Sequence, residues 1–464
     1  MESPADILAS QRSAFLRDGP PLADQRKVDL KKLRQALIDH RQQIEATVNA
    51  DFGHRSRHET AVMEIVPTAQ GIDYLIRNLR RFTRPQRRHV ELTFRMASAR
   101  VEYQPLGVVG IVAPWNYPIS LAIMPLATAI AAGNRAMIKP SEFTPKTSQL
   151  IAEMLATIFP QHQVAVVPGD AQLGAEFTAL PFDHILFTGS TPVGRAVMRA
   201  AAENLVPLTL ELGGKSPAIV APGQATPAHV ANIAYGKLAN AGQSCIAPDY
   251  AFVHEDDLVA FRSAFDEAVA KMYPAGPSGP DYSAIINQRH FDRLSHLLED
   301  AHAKGAKIVQ PGKPSSDARP NTLPPTLIFN TNNEMEVMHQ EIFGPLLPVL
   351  TYRDIDEAIA YVNARPRPLA LYYFGPDGDA RERVLTRTTS GNVGINATML
   401  HYAQDDLPFG GVGPSGMGAY HGIEGFRAMS HAKGVYAQGR LNAAGLLRAP
   451  FGRLADFILK ALLR

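Results

Sequence analysis

The 464-residue sequence holds one cysteine, Cys245. A single thiol cannot close a disulfide within its own chain. That excludes a disulfide-built secreted scaffold and fits a reducing, cytoplasmic compartment. Excess charge is lacking too: 46 Lys plus Arg stand against 44 Asp plus Glu, a net of +2. So even a balance gives no reason to expect nucleic acid as a partner. Long apolar runs are also missing. No stretch reaches about 18 uncharged apolar residues, so no transmembrane helix is expected. The opening MESPADILASQRSAFLRDG has acidic residues and no apolar centre, which is not the pattern of a secretory signal. No internal repeat is visible, and the length predicts two or three domains.

What is present is patterned in alternation. Val28, Leu33, Leu37 and Ile44 recur among charges over residues 25–48, the spacing of one amphipathic surface helix. LGVVGIVAP, from Leu106, is a short β-branched run closed by Pro114 and reads as a buried parallel strand. PLATAIAAGN follows as an Ala-rich helix with Gly133 at its C-cap, and RAMIKP as another strand. VAVVPGD (164–170) and HILFTGS (184–190) repeat the strand-then-glycine pattern, which predicts a doubly wound α/β domain. After Glu211 the pattern restarts with PAIVAPG, a helix through Ala239, and YAFVHED, which predicts a second α/β domain. PAGPSGPDYS (274–283) and GKPSSDARPNTLPP (312–325) read as surface loops. The basic run RNLRRFTRPQRRH (77–89) reads as a solvated, subunit-contacting helix end rather than a polyanion site.

Three partial motifs carry no chemistry. GGKS (213–216) needs a glycine five positions before Gly214 to be a phosphate-binding loop, and Thr209 stands there. HRSRHE sets His54 and His58 four apart, but the glutamate of the metalloprotease pattern and a third ligand are missing, so no metal site is expected. GPSG (413–416) lacks the strand and flanking glycine of a nucleophile elbow.

FTGSTPVGR (187–195) is more informative. Gly189 lets the backbone turn at a strand end, Ser190 can cap a helix or donate to phosphate, and Gly194 permits close approach. It is not the G-x-G-x-x-G of dinucleotide folds, and an ordinary strand–helix turn would read the same way. Cys245 is equally open: a small buried apolar residue or a reactive thiol. The full series narrows the choice. Pro114-Trp115-Asn116-Tyr117-Pro118, Lys139-Pro140-Ser141-Glu142, Phe187 to Gly194, Glu211-Leu212-Gly213-Gly214-Lys215, Gly242-Gln243-Ser244-Cys245, Glu341-Ile342-Phe343-Gly344-Pro345 and Leu407-Pro408-Phe409-Gly410-Gly411 follow one another in order. This order and spacing resembles the aldehyde dehydrogenase superfamily, over roughly residues 10–436. Ile-Ala-Pro-Asp-Tyr after the cysteine and the short N-terminus are similar to its class 3 branch. ADFGHRSRHET and QDDLPFGGVGPSGMGAYHG resemble the bacterial coniferyl aldehyde dehydrogenases.

The resemblance implies an α/β fold with a Rossmann-like NAD(P)-binding domain (1–85 and 103–213), a second α/β catalytic domain (214–400) and a small β oligomerisation flap (86–102 and 401–436). It implies a homodimer. It makes Cys245 the nucleophile, with Asn116 and the Cys245 N–H as oxyanion donors and Glu211 as general base. It places Lys139 and Glu142 at the adenosine ribose, Ser190 at the pyrophosphate, Glu341 at the nicotinamide ribose, and Thr188 and Gly189 near the nicotinamide. Trp115, Gly194 and Phe343 join the cofactor-binding positions. Glu142 can accept from a 2′-hydroxyl and would repel a 2′-phosphate, favouring NAD, while Lys139 partly offsets this and leaves NADP open. Taken singly, Asn116 reads equally well as a turn residue and Glu211 as a cap or surface carboxylate.

The implied reaction is oxidation of an aldehyde to its acid through a thiohemiacetal and a thioester. A CoA-acylating relative is the rival enzyme, and Glu211 argues against it. A non-catalytic lipid-surface protein on the same fold is the rival from another class, and the set Asn116, Glu211, Cys245 and Glu341 argues against that. Coniferyl, benzaldehyde-like and medium-chain aliphatic aldehydes all remain open. Tyr117, His401 and Tyr402 are expected either to line an aromatic-friendly tunnel or to serve packing. Residues 437–464 form a separate tail. Phe451, Leu454, Ala455, Ile458, Ala461 and Leu462 share one helical face, and Arg453, Asp456, Lys460 and Arg464 another. That basic amphipathic pattern fits docking on its own dimer or peripheral contact with a membrane.

Overall fold

The structure, a computed structural model, describes residues 2–91, 94, 96–312, 319–440 and 448–463. Of the surface loop expected at 312–325, residues 313–318 lie outside the described residues, as do residues 441–447 and Arg464 of the tail.

Three sheets organise the described chain. The first has the strand order Gly416–Met417, Leu208–Glu211, His184–Thr188, Val108–Val112, Arg135–Lys139, Val164–Val166. All its pairings are parallel except that of Gly416–Met417. Apart from that late strand, the chain builds outward from Val108–Val112 in one direction, then returns and builds in the other. This is the doubly wound order, and it leaves a crevice at the strands' carboxyl ends where the direction switches. The second sheet runs Lys307–Val309, Thr326–Phe329, Leu346–Tyr352, Tyr250–His254, Pro217–Val220, Ala370–Phe374, Asn392–Ile395, with only the first strand antiparallel. Its strands Pro217–Val220, Tyr250–His254 and Ala370–Phe374 are almost wholly buried, as parallel strands covered on both faces must be. The third is an antiparallel ribbon of Gln86–Arg88, Ser98–Pro105 and Ser430–Ala437.

The Ala-rich segment forms the helix Ser120–Ala132, and every residue in it is buried. A helix apolar all round has no solvent face to keep, so it sits between other elements. Gly133 ends it at φ 93°, donating to Ile130 O at 3.0 Å.

One expectation is corrected. Residues 25–48 are two helices, Ala23–Asp39 and Arg41–Asp51, not one. His40 breaks them at φ −90°, ψ 8°, and its Nδ1–H donates to Ala36 O at 2.8 Å. Val28 is exposed, and Leu30 takes the core position beside Leu33 and Leu37. The basic run ends the helix Val66–Thr83 and continues into Gln86–Arg88, with Arg80 paired to Asp24 and Arg81 to Asp406.

Candidate active site

The segment that carries Cys245 begins where the helix Pro227–Leu238 ends. Three successive residues then turn left-handed: Asn240 at φ 52°, Ala241 at φ 50° and Gly242 at φ 76°. For the two non-glycines this costs roughly 1–2 kcal/mol each, so the surroundings must impose it. The Asn240 N–H donates to Glu59 Oε1 at 2.6 Å, and Asn240 Nδ2 donates to Asn116 O at 3.0 Å. Gln243 Nε2 donates to Asn240 O at 2.9 Å and Ala284 O at 3.0 Å, while its Oε1 accepts from Ile286 N–H at 3.0 Å. At Gly242 a Cβ would come 2.3 Å from Gly344 O, so only glycine fits. The turn delivers Cys245, half-buried, to the wall of a cavity of about 130 Å3.

Glu211 opens onto the same cavity. It ends a strand clamped on both sides, paired parallel to Thr188 and antiparallel to Gly416, and Leu212 N–H donates to Ser415 O at 3.0 Å. Its carboxylate is buried with no hydrogen-bond partner, and burial pushes its pKa well above the ordinary value. Burial, reinforced by the charges of Glu341 and Glu211, pushes the Cys245 thiol up to about 12. A thiol held neutral and a carboxyl of raised basicity thus line one cavity, so any attack by this sulfur would have to be coupled to proton transfer. Asn116 is buried, and one hydrogen of its Nδ2 goes to Gln243 O at 3.2 Å. Asn116 itself is not on the cavity lining, whereas its neighbour Tyr117 is.

Most of the remaining wall is apolar or aromatic, including Met63, Tyr117, Leu121, Met399, Tyr402 and Phe409, with Ser120, Thr188 and Ser244 as polar members and exposed Val62 and Leu400 among the lining. His401 is not on that wall; it packs behind it, 5.7 Å from the Tyr372 ring and 6.0 Å from Phe409.

A second set of groups lies along the crevice of the first sheet. Lys139, Thr188 and Glu211 end three of its strands, and Trp115 and Asn116 follow a fourth. Lys139 Nζ meets Glu142 Oε2 at 3.1 Å. The Thr188 hydroxyl is buried and unpartnered. Ser190 is the N-cap of the helix Thr191–Ala202, yet its exposed side chain makes no capping bond. An uncapped helix N-terminus there is a ready anion site. A Cβ at Gly189 would sit 2.6 Å from the Phe187 ring, and one at Gly194 2.7 Å from Leu212. A Cβ at Gly213 would lie 2.1 Å from Glu341 Oε2, so the carboxylate rests directly on that backbone. Glu341 Oε1 has no partner, and burial followed by the charge of Asp249 raises this carboxyl to about 8, with the Gly214 N–H opposing. Phe343 holds φ 51°, and its ring lies 5.4 Å from Trp115. The anion-ready helix end, the unpartnered Thr188 and Glu341, and the close-approach glycines fit a dinucleotide of phosphates, riboses and a flat ring.

Residues 14–435 match the aldehyde dehydrogenase family. The chain belongs to that family. This aldehyde dehydrogenase is 52% identical over 447 residues to a probable coniferyl aldehyde dehydrogenase of Pseudomonas aeruginosa, covering 96% of this chain and 93% of that protein. It is 48% identical over 467 residues to the coniferyl aldehyde dehydrogenase of Pseudomonas sp. strain HR199, covering 100% of this chain and 96% of that one. Among solved structures, a substrate-bound AldH of Staphylococcus aureus superposes with a TM-score of 0.94 at 36% identity, with both chains fully covered. The enzyme oxidises aldehydes to acids and uses a nicotinamide cofactor. No helix among the described residues is long and apolar enough to cross a membrane.

Several residues that shape this aldehyde dehydrogenase's site were not singled out by sequence. The segment with His54 and His58 contributes Arg55 and Glu59 instead. Lys215, quoted as the end of the motif from Glu211 and given no role, pairs with Asp249, while Asp249 Oδ1 accepts from Ile342 N–H at 2.9 Å. Arg293 Nη1 donates to Glu341 O at 3.2 Å. Both contacts anchor the segment that carries Glu341 and Phe343. The one available signal was charge inside an otherwise buried motif, since buried charges need partners.

Proposed function

We propose that this aldehyde dehydrogenase oxidises an aromatic aldehyde with a hydroxyl at its far end, of the coniferyl type, with NAD preferred. The observation that carries this is one chamber with Cys245 and Glu211 on its wall and a hydroxyl cluster elsewhere along it. The cavity of about 130 Å3 is near the size, on the order of 150 Å3, at which a buried apolar cavity accepts a single aromatic ring. Tyr420 OH donates to Tyr402 OH at 3.1 Å, and Tyr402 OH shares a bond with Ser120 Oγ at 3.0 Å. Ser120 and Tyr402 also border a small annex of about 10 Å3 lined by Thr68, Asp405 and His421. The Thr68 hydroxyl and both His421 nitrogens are buried without partners, and burial holds His421 neutral with its pKa lowered to about 3. Donors and acceptors around room for one oxygen suit a hydroxyl.

In this reading Cys245 Sγ attacks the aldehyde carbon as Glu211 takes the thiol proton. The second Nδ2 hydrogen of Asn116 and the Cys245 N–H receive the oxyanion. A nicotinamide dinucleotide, when bound, supplies the acceptor for the hydride that leaves this carbon. Once Glu211 has given the thiol proton to solvent, it takes a proton from the water that attacks the Cys245 thioester, and that proton passes to the departing sulfur, releasing the acid and restoring the thiol. Lys139 and Glu142 hold the adenosine ribose, Ser190 the pyrophosphate and Glu341 the nicotinamide ribose, with Thr188 and Gly189 beside the nicotinamide. Residues 1–85 and 103–213 bind the dinucleotide, 214–400 carry the chemistry, and 86–102 with 401–436 make subunit contacts.

Wild-type kcat/KM is expected to be about tenfold higher for 4-hydroxycinnamaldehyde than for cinnamaldehyde, the worth of one well-made hydrogen bond. Thr68→Val and His421→Phe should erase that ratio while leaving hexanal oxidation within about twofold of wild type. Equal rates on the two aromatic aldehydes would remove the hydroxyl from the proposal. The same assay with NADP should give the lower kcat/KM, because the Glu142 carboxylate repels a 2′-phosphate.

The tail helix Arg453–Leu462 buries only Ala455, while Phe451, Leu454, Phe457, Leu459, Leu462 and Leu463 are exposed. So many large apolar groups together need a cover. A second copy of this chain is that cover, in a cytoplasmic homodimer. Deleting residues 441–464 is expected to leave oxidation of small aldehydes unchanged and to weaken the dimer in sedimentation velocity. Salt-sensitive co-sedimentation of the intact protein with anionic vesicles would assign the helix to a lipid surface instead.

A further inference from the structure

We propose that Arg55, Glu59 and Glu64 are positioning residues that set the separation of the two oxyanion donors, Asn116 and the Cys245 N–H. The inference rests on the assignment of those donors above. Arg55 Nη1 lies 3.0 Å from Asn116 O and 3.0 Å from Glu64 Oε1, and neither charged side chain has any exposed surface. Glu64 Oε2 accepts from Ile119 N–H at 2.8 Å and Ser120 N–H at 3.2 Å. It thereby serves the start of the helix Ser120–Ala132, whose N-cap Ile119 has no side-chain oxygen to offer. The Arg55–Glu64 pair thus grips residues 116–120 at both ends. The guanidinium also stacks 5.0 Å from the Tyr117 ring on the cavity wall and 5.1 Å from Phe52.

Glu59 holds the other donor's segment. Its Oε1 accepts from the Asn240 N–H at 2.6 Å, and its other oxygen accepts from Ser283 Oγ. Asn240 Nδ2 closes the frame by donating to Asn116 O at 3.0 Å and to Gln243 O at 3.2 Å. The Asn116 carbonyl therefore takes two donors, one from each side, and its amide reaches Gln243 O as well. In an α-helix, residues five apart lie about 140° round the axis. Here a π-helical turn spans Ala61–Ile65, and Val66 N–H donates to Ala61 O. That i→i+5 turn brings Glu64 back toward the face of Glu59, so one short segment reaches both halves of the hole.

A frame of this kind matters only when an oxyanion forms. A buried charge pair that merely stabilised the fold would affect every reaction of Cys245 alike. Two reagents separate the cases. Acylation of Cys245 by 4-nitrophenyl acetate passes through a tetrahedral oxyanion and needs no dinucleotide. Alkylation by iodoacetamide displaces iodide at a saturated carbon and forms no oxyanion. In Arg55→Lys, whose ammonium keeps the charge but sits on a shorter side chain and stops short of the Nη1 position that meets both oxygens, acylation is expected to slow at least about tenfold. Alkylation should stay within about twofold of wild type. With aldehyde and NAD, kcat should fall with the acylation rate while KM for aldehyde moves less than about twofold. Glu59→Met repeats the test from the Cys245 side while keeping both members of the Arg55–Glu64 pair, and carries it alone if Arg55→Lys does not fold. Unchanged acylation in a folded variant, or equal loss of acylation and alkylation, would overturn the frame. Failure of wild-type Cys245 to acylate at all would instead fault the nucleophile assignment beneath it.

Discussion

Cys245→Ser is expected to lower kcat for aldehyde oxidation by about three orders of magnitude or more. NAD binding, read by quenching of the Trp115 fluorescence or by calorimetry, should persist. The chain has no second thiol to substitute. A serine hydroxyl in the same place is the weaker nucleophile, and Glu211 would have to remove a far less acidic proton. The cavity already holds the thiol neutral, with a pKa raised to about 12 by burial and by Glu341 and Glu211. The enzyme therefore has little reserve for a poorer leaving proton. Each factor of ten in rate is about 1.4 kcal/mol of barrier. A variant that kept more than about a tenth of wild-type kcat would end the assignment of Cys245. Loss of NAD binding along with activity would point to a damaged fold instead.

Glu211→Gln is the second large effect. Amide replaces carboxylate at nearly constant shape, so the clamp from Thr188 and Gly416 should survive. What is lost is the base. Steady-state kcat is expected to fall about a hundredfold or more, the usual worth of a positioned general base. Because Glu211 serves both the attack by sulfur and the hydrolysis, stopped-flow traces at 340 nm should show slowed NADH formation, with a burst appearing to the extent that thioester hydrolysis is slowed more than the attack. The pH profile gives an independent reading. Glu211 acts as a base only when unprotonated, and burial raises its pKa. Wild-type kcat should therefore be lost as pH falls through that raised pKa and recovered as pH climbs above it. In Glu211→Gln this limb should disappear, leaving only the dependence on hydroxide. Normal turnover in the variant would move water activation elsewhere, with Glu341, raised to about 8, as the first candidate.

Much of this site was legible before any coordinate. The strands at 108–112, 135–139, 164–166, 184–188 and 208–211 announce themselves by short β-branched runs ending in Gly or Pro, because a parallel strand buried on both faces can tolerate little else. Lys139, Thr188 and Glu211 were grouped through the family resemblance of the motifs that hold them, and the structure sets them at the ends of three strands of one sheet, where ligands gather. The helix at 25–48 was read less well. Spacing records which residues are apolar, but a break such as His40 depends on one backbone turn that the periodicity does not register. His401 shows the same limit at the site. Its neighbour Tyr402 lines the cavity while its own ring turns back onto Tyr372 and Phe409.

The sequence by itself determined the two α/β halves and the order of motifs, because each is written in residue type and local period, while Cys245 and Glu211 took their proposed roles from the family resemblance those motifs carry. Only the tertiary structure decided how they are held. Asn240 and Ala241 are left-handed against their own preference, which follows from partners as distant as Glu59, 181 residues away. Arg55 means nothing beside its sequence neighbours and gains a role from the Asn116 carbonyl, 61 residues on. Burial, which raises both Cys245 and Glu211, is likewise a property of the packed whole. Local pattern encodes what a segment becomes, whereas desolvation and long-range hydrogen bonds exist only once the segments have met.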